Sequence, residues 1–294
     1  MRFFTHINTL FIRGPLRAAG TGVCGGIRSV STLLHHTMSP GADISEEPDK
    51  VLGRVAADAG LDMEYMGFIS AIPGCQFCIL QYDFITLFIA AGIRREPPAG
   101  SGGITIIITS TEGLDDAALV EAVMIATEAK AEALQALDLP ISGTPSDGVI
   151  VACEGDTVHL SAGRLSAAGT RIRGAIAHGL PEALIRHDTG VRSDRPGFFI
   201  FSRFKGEHWI EWVPETCPYY PCHFKGQACD FCYCPFYPCR DEGLGQWVES
   251  ANGGKVWNCA ACTLLHEPET AAYLKKYPGA GLDELKRVSA AKKR

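Results

Sequence analysis

Apolar residues along this chain fall into two kinds of run. Ile104–Ser110, ITIIITS, has no polar side chain larger than Thr, which predicts a strand buried on both faces. Leu114–Leu137, LDDAALVEAVMIATEAKAEALQAL, is rich in Ala, Leu and Glu and opens with two acids. That pattern predicts a helix whose first turn suits the macrodipole. The same contrast recurs over the first two thirds of the sequence. Residues 14–38 read as short strands broken by glycines, and 49–60 have helical spacing. MEYMGFISAI (63–72) and FCILQYDFITLFIAAGI (77–93) read as two buried strands. GVIVAC (148–153) and TVHLSAG (157–163) are two more, and a second helix is predicted over 167–186, with an interruption near Gly179-Leu180-Pro181. Strands alternating with long helices give an α+β (mixed α/β) main domain over residues 14–190. GVRSDRPG then reads as a linker. From 198 to 290 the text becomes aromatic, Pro-rich and Cys-rich, predicting a small irregular domain stabilised by metal.

The bulk numbers narrow the picture. The chain has 294 residues, 46% hydrophobic and 20% charged, as in soluble globular proteins. Its net charge of −6 argues against nucleic acid as a partner. Residues 1–190 hold 13 Lys+Arg against 21 Asp+Glu, a net of −8, and residues 191–294 hold 14 against 12, a net of +2. The most apolar run, CILQYDFITLFIAAGI, is broken by Gln81 and Asp83 and falls short of the ~20 residues that cross a bilayer, so no membrane span is predicted. The first forty residues hold four Arg and no acid, in the manner of a transit peptide. Strand-like text from Gly14 leaves little room for a leader, so this region is expected to be part of the fold.

Eight of the twelve cysteines lie between Cys217 and Cys262. They are Cys217, Cys222, Cys229, Cys232, Cys234, Cys239, Cys259 and Cys262, with His223 and His266 among them. Two C-x-x-C pairs separated by a loop are a metal signal, because a tight turn lets two thiolates reach one ion. The eight thiolates fill two tetrahedral sites, and with the histidines Cys3His sites are equally open. Structural zinc, one ion or two, is the default for closed thiolate sites. An iron–sulfur centre and a disulfide framework are the competing readings. A domain this small has little core, and metal binding supplies folding energy. Thiolate ligands need a reducing compartment, which places the protein in the cytoplasm. Cys75 and Cys78, a third C-x-x-C, read as buried free thiols, and Cys24 and Cys153 as core.

In the main domain, SGTPSDG (142–148) gathers two glycines, three hydroxyls and one carboxylate into a tight turn before a strand. Such a turn can present N–H groups and an acid to a polar substrate, and it can equally be a well-made turn in which Asp147 bonds its own backbone. ATEAK (126–130) puts Glu128 and Lys130 on different faces of the predicted helix. His35-His36 follows a strand, where a satisfied histidine is the usual outcome.

Taken together, GGIRSVSTLLHHTM, EYMGFISAI, GGITIIITS, ATEAKAEAL, ISGTPSDGVIVAC and SAGRLSAAGTRIRGAIAHGLPEAL resemble, in order and spacing, the CbiZ-type adenosylcobinamide amidohydrolases, over roughly residues 14–190. The tail, PCH…CDFCYCPFYP…NCAACTLLH, resembles a small zinc-finger-like domain fused to such enzymes. The resemblance implies hydrolysis of the amide that joins the aminopropanol arm of adenosylcobinamide to the corrin ring, giving adenosylcobyric acid in corrinoid salvage. It implies Asp147 as general base or substrate anchor, Glu128 as a second acid, Lys130 as oxyanion stabiliser, His36 as proton shuttle and Thr144 as a hydroxyl source. Gly143, Ser146, Gly92 and Thr127 are implied to contact substrate. This chain reads IAAGIRRE where the family has a Ser-Asn pair after the conserved glycine, so Arg94 and Arg95 stand in that place. It also reads SGTPSD where the family has Thr-Gly-Thr-x-Thr-Asp. A corrinoid-binding or regulatory protein without turnover is the alternative these departures leave open.

Overall fold

The computed structural model describes residues 1–6, 8–38, 46–61, 64–70, 77–93, 102–188, 196–203, 206–212, 217, 220–231, 234–249, 255–277 and 279–292. Its framework is one large mixed sheet, ten-stranded among the described residues. The strands are β1 (Arg2–His6), β2 (Thr9–Gly20), β3 (Gly26–Thr37), β4 (Tyr65–Ser70), β5 (Cys78–Tyr82), β6 (Ile85–Ile93), β7 (Gly102–Ser110), β9 (Gly148–Cys153), β11 (Gly197–Ser202) and β12 (His208–Glu211). Their order is β12-β11-β5-β6-β7-β9-β2-β3-β4, with β1 beside β2. β8 (Gly113–Leu114) and β10 (Thr157–His159) form a separate parallel pair. The helices are α1 (Pro48–Asp58), α2 (Asp116–Ala136), α3 (Ala167–Asp188), α4 (Pro268–Lys276) and α5 (Leu282–Lys292). No helix among the described residues is long and apolar enough to cross a membrane.

Residue alternation sorts the central strands between two cores. Ile104, Ile106 and Ile108 of β7, Leu87 and Ile89 of β6 and Val149 and Val151 of β9 face α2 and α3. Ile107, Phe88, Ile150 and Ala152 point to the other side, into a second core with Leu10, Ile12, Leu33, Met66 and Phe68 of β2, β3 and β4. That core joins strands far apart in the sheet order, so the sheet curls and carries β3 and β4 back over β7 and β9. A third core covers the outer side of β1–β4. There Phe11, Leu34, Leu52 and Tyr65 pack against Phe231, Leu264, Leu265, Leu274 and Leu285 of the tail.

Helix α2 starts where its sequence says it should: the Asp115 side chain caps it by accepting from the Ala118 N–H at 2.7 Å. Four expectations are corrected. Residues 14–38 form two long strands rather than several short ones. Residues 77–93 form a hairpin rather than one strand, because Asp83 adopts φ 54°, a left-handed conformation that Asp tolerates, and Arg171 and Arg203 bind its carboxylate. Helix α3 runs through Pro181 without interruption. Cys24 is half-buried at φ 55°, whereas Cys78 and Cys153 are buried as expected. β11 and β12 extend the main sheet past residue 198, and the Cys-rich segment follows them with a short hairpin, β13 (Gln246–Glu249) and β14 (Lys255–Asn258). Cys75, Arg94, Arg95 and Cys232 lie outside the described residues.

Candidate functional site

The turn before β9 closes on a buried charge pair. Asp147 Oδ1 accepts from the Ile104 N–H at 2.9 Å and from the Thr144 hydroxyl at 2.7 Å. Its Oδ2 accepts from the Thr144 N–H at 3.0 Å and from the Lys130 ammonium. The side chains of Lys130 and Asp147 are 8% and 13% exposed, so the pair is largely withdrawn from water, where charge interactions gain strength. Four donors hold the carboxylate in place. The Thr144 hydroxyl also reaches the Gly102 carbonyl at 2.9 Å and takes the Ser146 N–H at 3.3 Å, which ties the turn to the start of β7. Gly143 is required by close approach: a Cβ there would stand 2.7 Å from both Lys130 Nζ and Asp147 Oδ2.

One residue along β7, Thr105 points to the other side of the sheet. Its hydroxyl lies 2.7 Å from His35 Nε2 and 3.4 Å from the Ala90 carbonyl. The ring is 1% exposed and packs edge-on to Phe77 at 4.6 Å, and its Nδ1 has no hydrogen-bond partner. Burial pushes this imidazole down to about 3. Phe68 on β4 closes the same region against Gly148, where a Cβ would meet its ring at 2.3 Å. Thus β7 joins the Asp147 turn on one side to a buried histidine on the other. Sequence reasoning favoured His36 over His35. The usable signal was strand alternation, which sends only one of two adjacent histidines into the curl.

The remaining candidates are dispersed. His36 faces the opposite way, half-buried, with Nδ1 2.8 Å from the Thr9 hydroxyl, and burial lowers its pKa. Glu128 and Thr127 lie on the exposed side of α2. Glu128 is 3.8 Å from Arg164, and Thr127 donates to the Val123 carbonyl at 2.9 Å. Gly92 is buried in register with Gly103, and its carbonyl oxygen lies 2.0 Å from where a Cβ on Gly102 would sit. Ser146 is exposed at the turn.

In the tail the seven described cysteines, like Cys24, Cys78 and Cys153 in the main domain, are free of disulfides. Cys222, His223, Cys234, Cys239, Cys259, Cys262 and His266 line one cavity of about 230 Å³ floored by Phe231, Leu264 and Leu265. Burial, then proximity to Cys262, Cys259 and Cys239, pushes the Cys234 thiol up to about 12. Among the described residues no group of three or more His, Cys, Asp or Glu side chains is already gathered for an ion. The donor chemistry nevertheless fits a thiophilic metal.

A large curled sheet backed by two helices, with a polar turn at its edge and a Cys-rich satellite, defines a two-part α+β protein. The sequence profile described as adenosylcobinamide amidohydrolase matches residues 5–191, and that described as a cysteine-rich small domain matches 208–289. The chain therefore belongs to the adenosylcobinamide amidohydrolase family. It is 31% identical over 156 residues to the adenosylcobinamide amidohydrolase of Methanosarcina mazei, covering 52% of this chain and 78% of that protein. The Halobacterium salinarum adenosylcobinamide amidohydrolase is 36% identical over 97 residues, 32% of this chain and 40% of that one. A probable cobalt-factor III C(17)-methyltransferase of Methanothermobacter thermautotrophicus is 43% identical over 75 residues, 24% of this chain and 20% of that one.

Proposed function

We propose that this protein hydrolyses the aminopropanol amide of adenosylcobinamide to adenosylcobyric acid, and that the Lys130–Asp147–Thr144 turn is its catalytic centre. Family membership supports the reaction. The observation that carries the site is the buried ion pair anchored to β7. Amide hydrolysis concentrates negative charge on the carbonyl oxygen in the transition state. Lys130 is the group placed to meet it: a cation, largely dry, pressed against the bare backbone of Gly143. Asp147, with both oxygens filled by donors, acts as a positioning residue that aims the Lys130 ammonium and fixes the turn. Glu128, on the exposed face of α2, takes no part. We assign zinc to the tail as a structural metal, which makes its thiolates at home in the reducing cytoplasm. The test is turnover in water enriched in oxygen-18. The proposal expects the label in the corrinoid carboxylate together with free aminopropanol; intact substrate beside folded protein would leave a corrinoid-binding role.

A further inference from the structure

The two tail histidines are oriented in a way that a merely packed histidine need not be. His223 Nε2 lies 3.0 Å from the Ala260 carbonyl, and His266 Nδ1 lies 3.0 Å from the Ala228 carbonyl. A carbonyl only accepts, so each of these nitrogens carries the proton and the other nitrogen keeps its lone pair. A ligating imidazole is held in this way, with one N–H on a backbone carbonyl and the opposite nitrogen left basic. The freed Nδ1 of His223 is 3.1 Å from Cys222 Sγ, and the two rings stack at 4.3 Å. Gln227 donates to Cys222 Sγ at 3.1 Å and to Cys229 Sγ at 3.6 Å, drawing those sulfurs to the same side of the domain.

Four other thiols sit on two turns. Cys259 and Cys262 flank a tight turn closed by a 2.9 Å bond from the Cys262 N–H to the Cys259 carbonyl. Cys234 begins a second turn, closed at 3.0 Å by the Tyr237 N–H, that leads to Cys239. All four line the cavity of about 230 Å³.

We infer that the tail holds two metal ions in chemically different sites: an all-sulfur site of Cys234, Cys239, Cys259 and Cys262, and a mixed site of Cys222, Cys229, His223 and His266. The inference rests on the proposed metal role of the tail and deepens it by assigning the ligands. Each set supplies four donors, the number a closed tetrahedral site takes. Among the described residues no three donors are gathered beforehand, so on this reading each set closes on its ion as the ion binds, and folding and loading are one event.

The test is metal counting by inductively coupled plasma and native mass spectrometry on the full chain, purified without chelator, with circular dichroism as the fold control. Wild type is expected to carry two zinc ions. Cys239→Ser and His266→Gln are each expected to lose one and keep one, and the double variant to hold none. Should either variant fail to fold, cobalt(II) added to zinc-depleted wild type decides. Two spectral classes filling in succession, one with all-sulfur and one with mixed sulfur–nitrogen charge-transfer bands, support the assignment. One ion per chain, one spectral class, or joint loss of both ions from a folded variant overturns it. Protein without metal, or with iron and sulfide, instead removes the zinc reading on which the partition stands.

Discussion

The Asp147 turn and the Cys-rich tail are both polar clusters, but they reach order by different means. Around Asp147 every oxygen of the carboxylate already has its donors, drawn from α2, β7 and the turn itself, and two apolar cores hold those elements in place. In the tail the donors are present and oriented, yet they do not close on one another, and the local core is borrowed from the outer side of β1–β4. The first cluster is completed by the chain; the second, on the proposed reading, is completed by an ion. A domain with a large core can bury a charge pair and hold it rigidly, whereas a short segment with little core recruits an ion.

The largest effect expected from this contrast is that of metal removal. A strong chelator should unfold the tail, since structural ions supply about 10 kcal/mol or more of folding energy in small domains. Near-ultraviolet circular dichroism of the tail tryptophans, Trp247 and Trp257, should collapse while the α2–α3 region keeps its amide protection. Simultaneous loss of both regions would mean that the third core makes one cooperative unit. Next comes Lys130→Met, which leaves the Asp147 carboxylate buried without its cation. Denaturant melts should show a loss of about 3–5 kcal/mol, the usual result of breaking a buried pair from one side. A loss below 1 kcal/mol would show that water reaches the pair.

A smaller effect tests the packing beneath the turn. Gly148→Ala puts a methyl into the Phe68 ring and should lower stability by about 1–3 kcal/mol, with the denaturant midpoint as the readout. The pH dependence comes from His35. Burial holds its folded pKa at about 3, below the ordinary 6.5, so the unfolded chain binds a proton that the folded chain refuses. The stability linked to this group is complete above pH 6.5 and is lost as pH falls toward 3, at about 1.4 kcal/mol per unit. Between pH 6.5 and 5, before most carboxylates titrate, His35→Leu should flatten that slope. The smallest effect belongs to Glu128→Gln, which should move stability by no more than about 0.5 kcal/mol.

The sequence made parts of this legible and hid others for physical reasons. β7 and β9 were readable because burial on both faces leaves a strong local signature, α1 from its helical spacing, and α2 from its composition and the acids at its start. The hairpin at Asp83 was missed because its turn carries no Gly or Pro, and the reversal rests on Asp83 taking φ 54°. α3 survives Pro181 because its flanks, Leu180, Ala183 and Leu184, are buried in the first core, and tertiary packing overrides the local penalty. The pairing of Lys130 with Asp147, 17 residues apart, depends on how α2 crosses the sheet, which no spacing rule predicts. The spacing put Glu128 and Lys130 on different faces of α2, and the fold shows that Lys130 is on the buried one. The donor types of the tail are plain in its sequence, whereas the backbone carbonyl each histidine meets depends on the fold.

The most direct measurement is steady-state turnover of adenosylcobinamide by wild type, Lys130→Met and Glu128→Gln, side by side, with products identified by mass spectrometry and folding checked by circular dichroism. The account predicts adenosylcobyric acid from wild type, a rate lower by about 10²-fold or more for folded Lys130→Met, and wild-type turnover for Glu128→Gln. Absence of product from wild type, or a Glu128→Gln protein that is inactive while Lys130→Met still turns over, would contradict it.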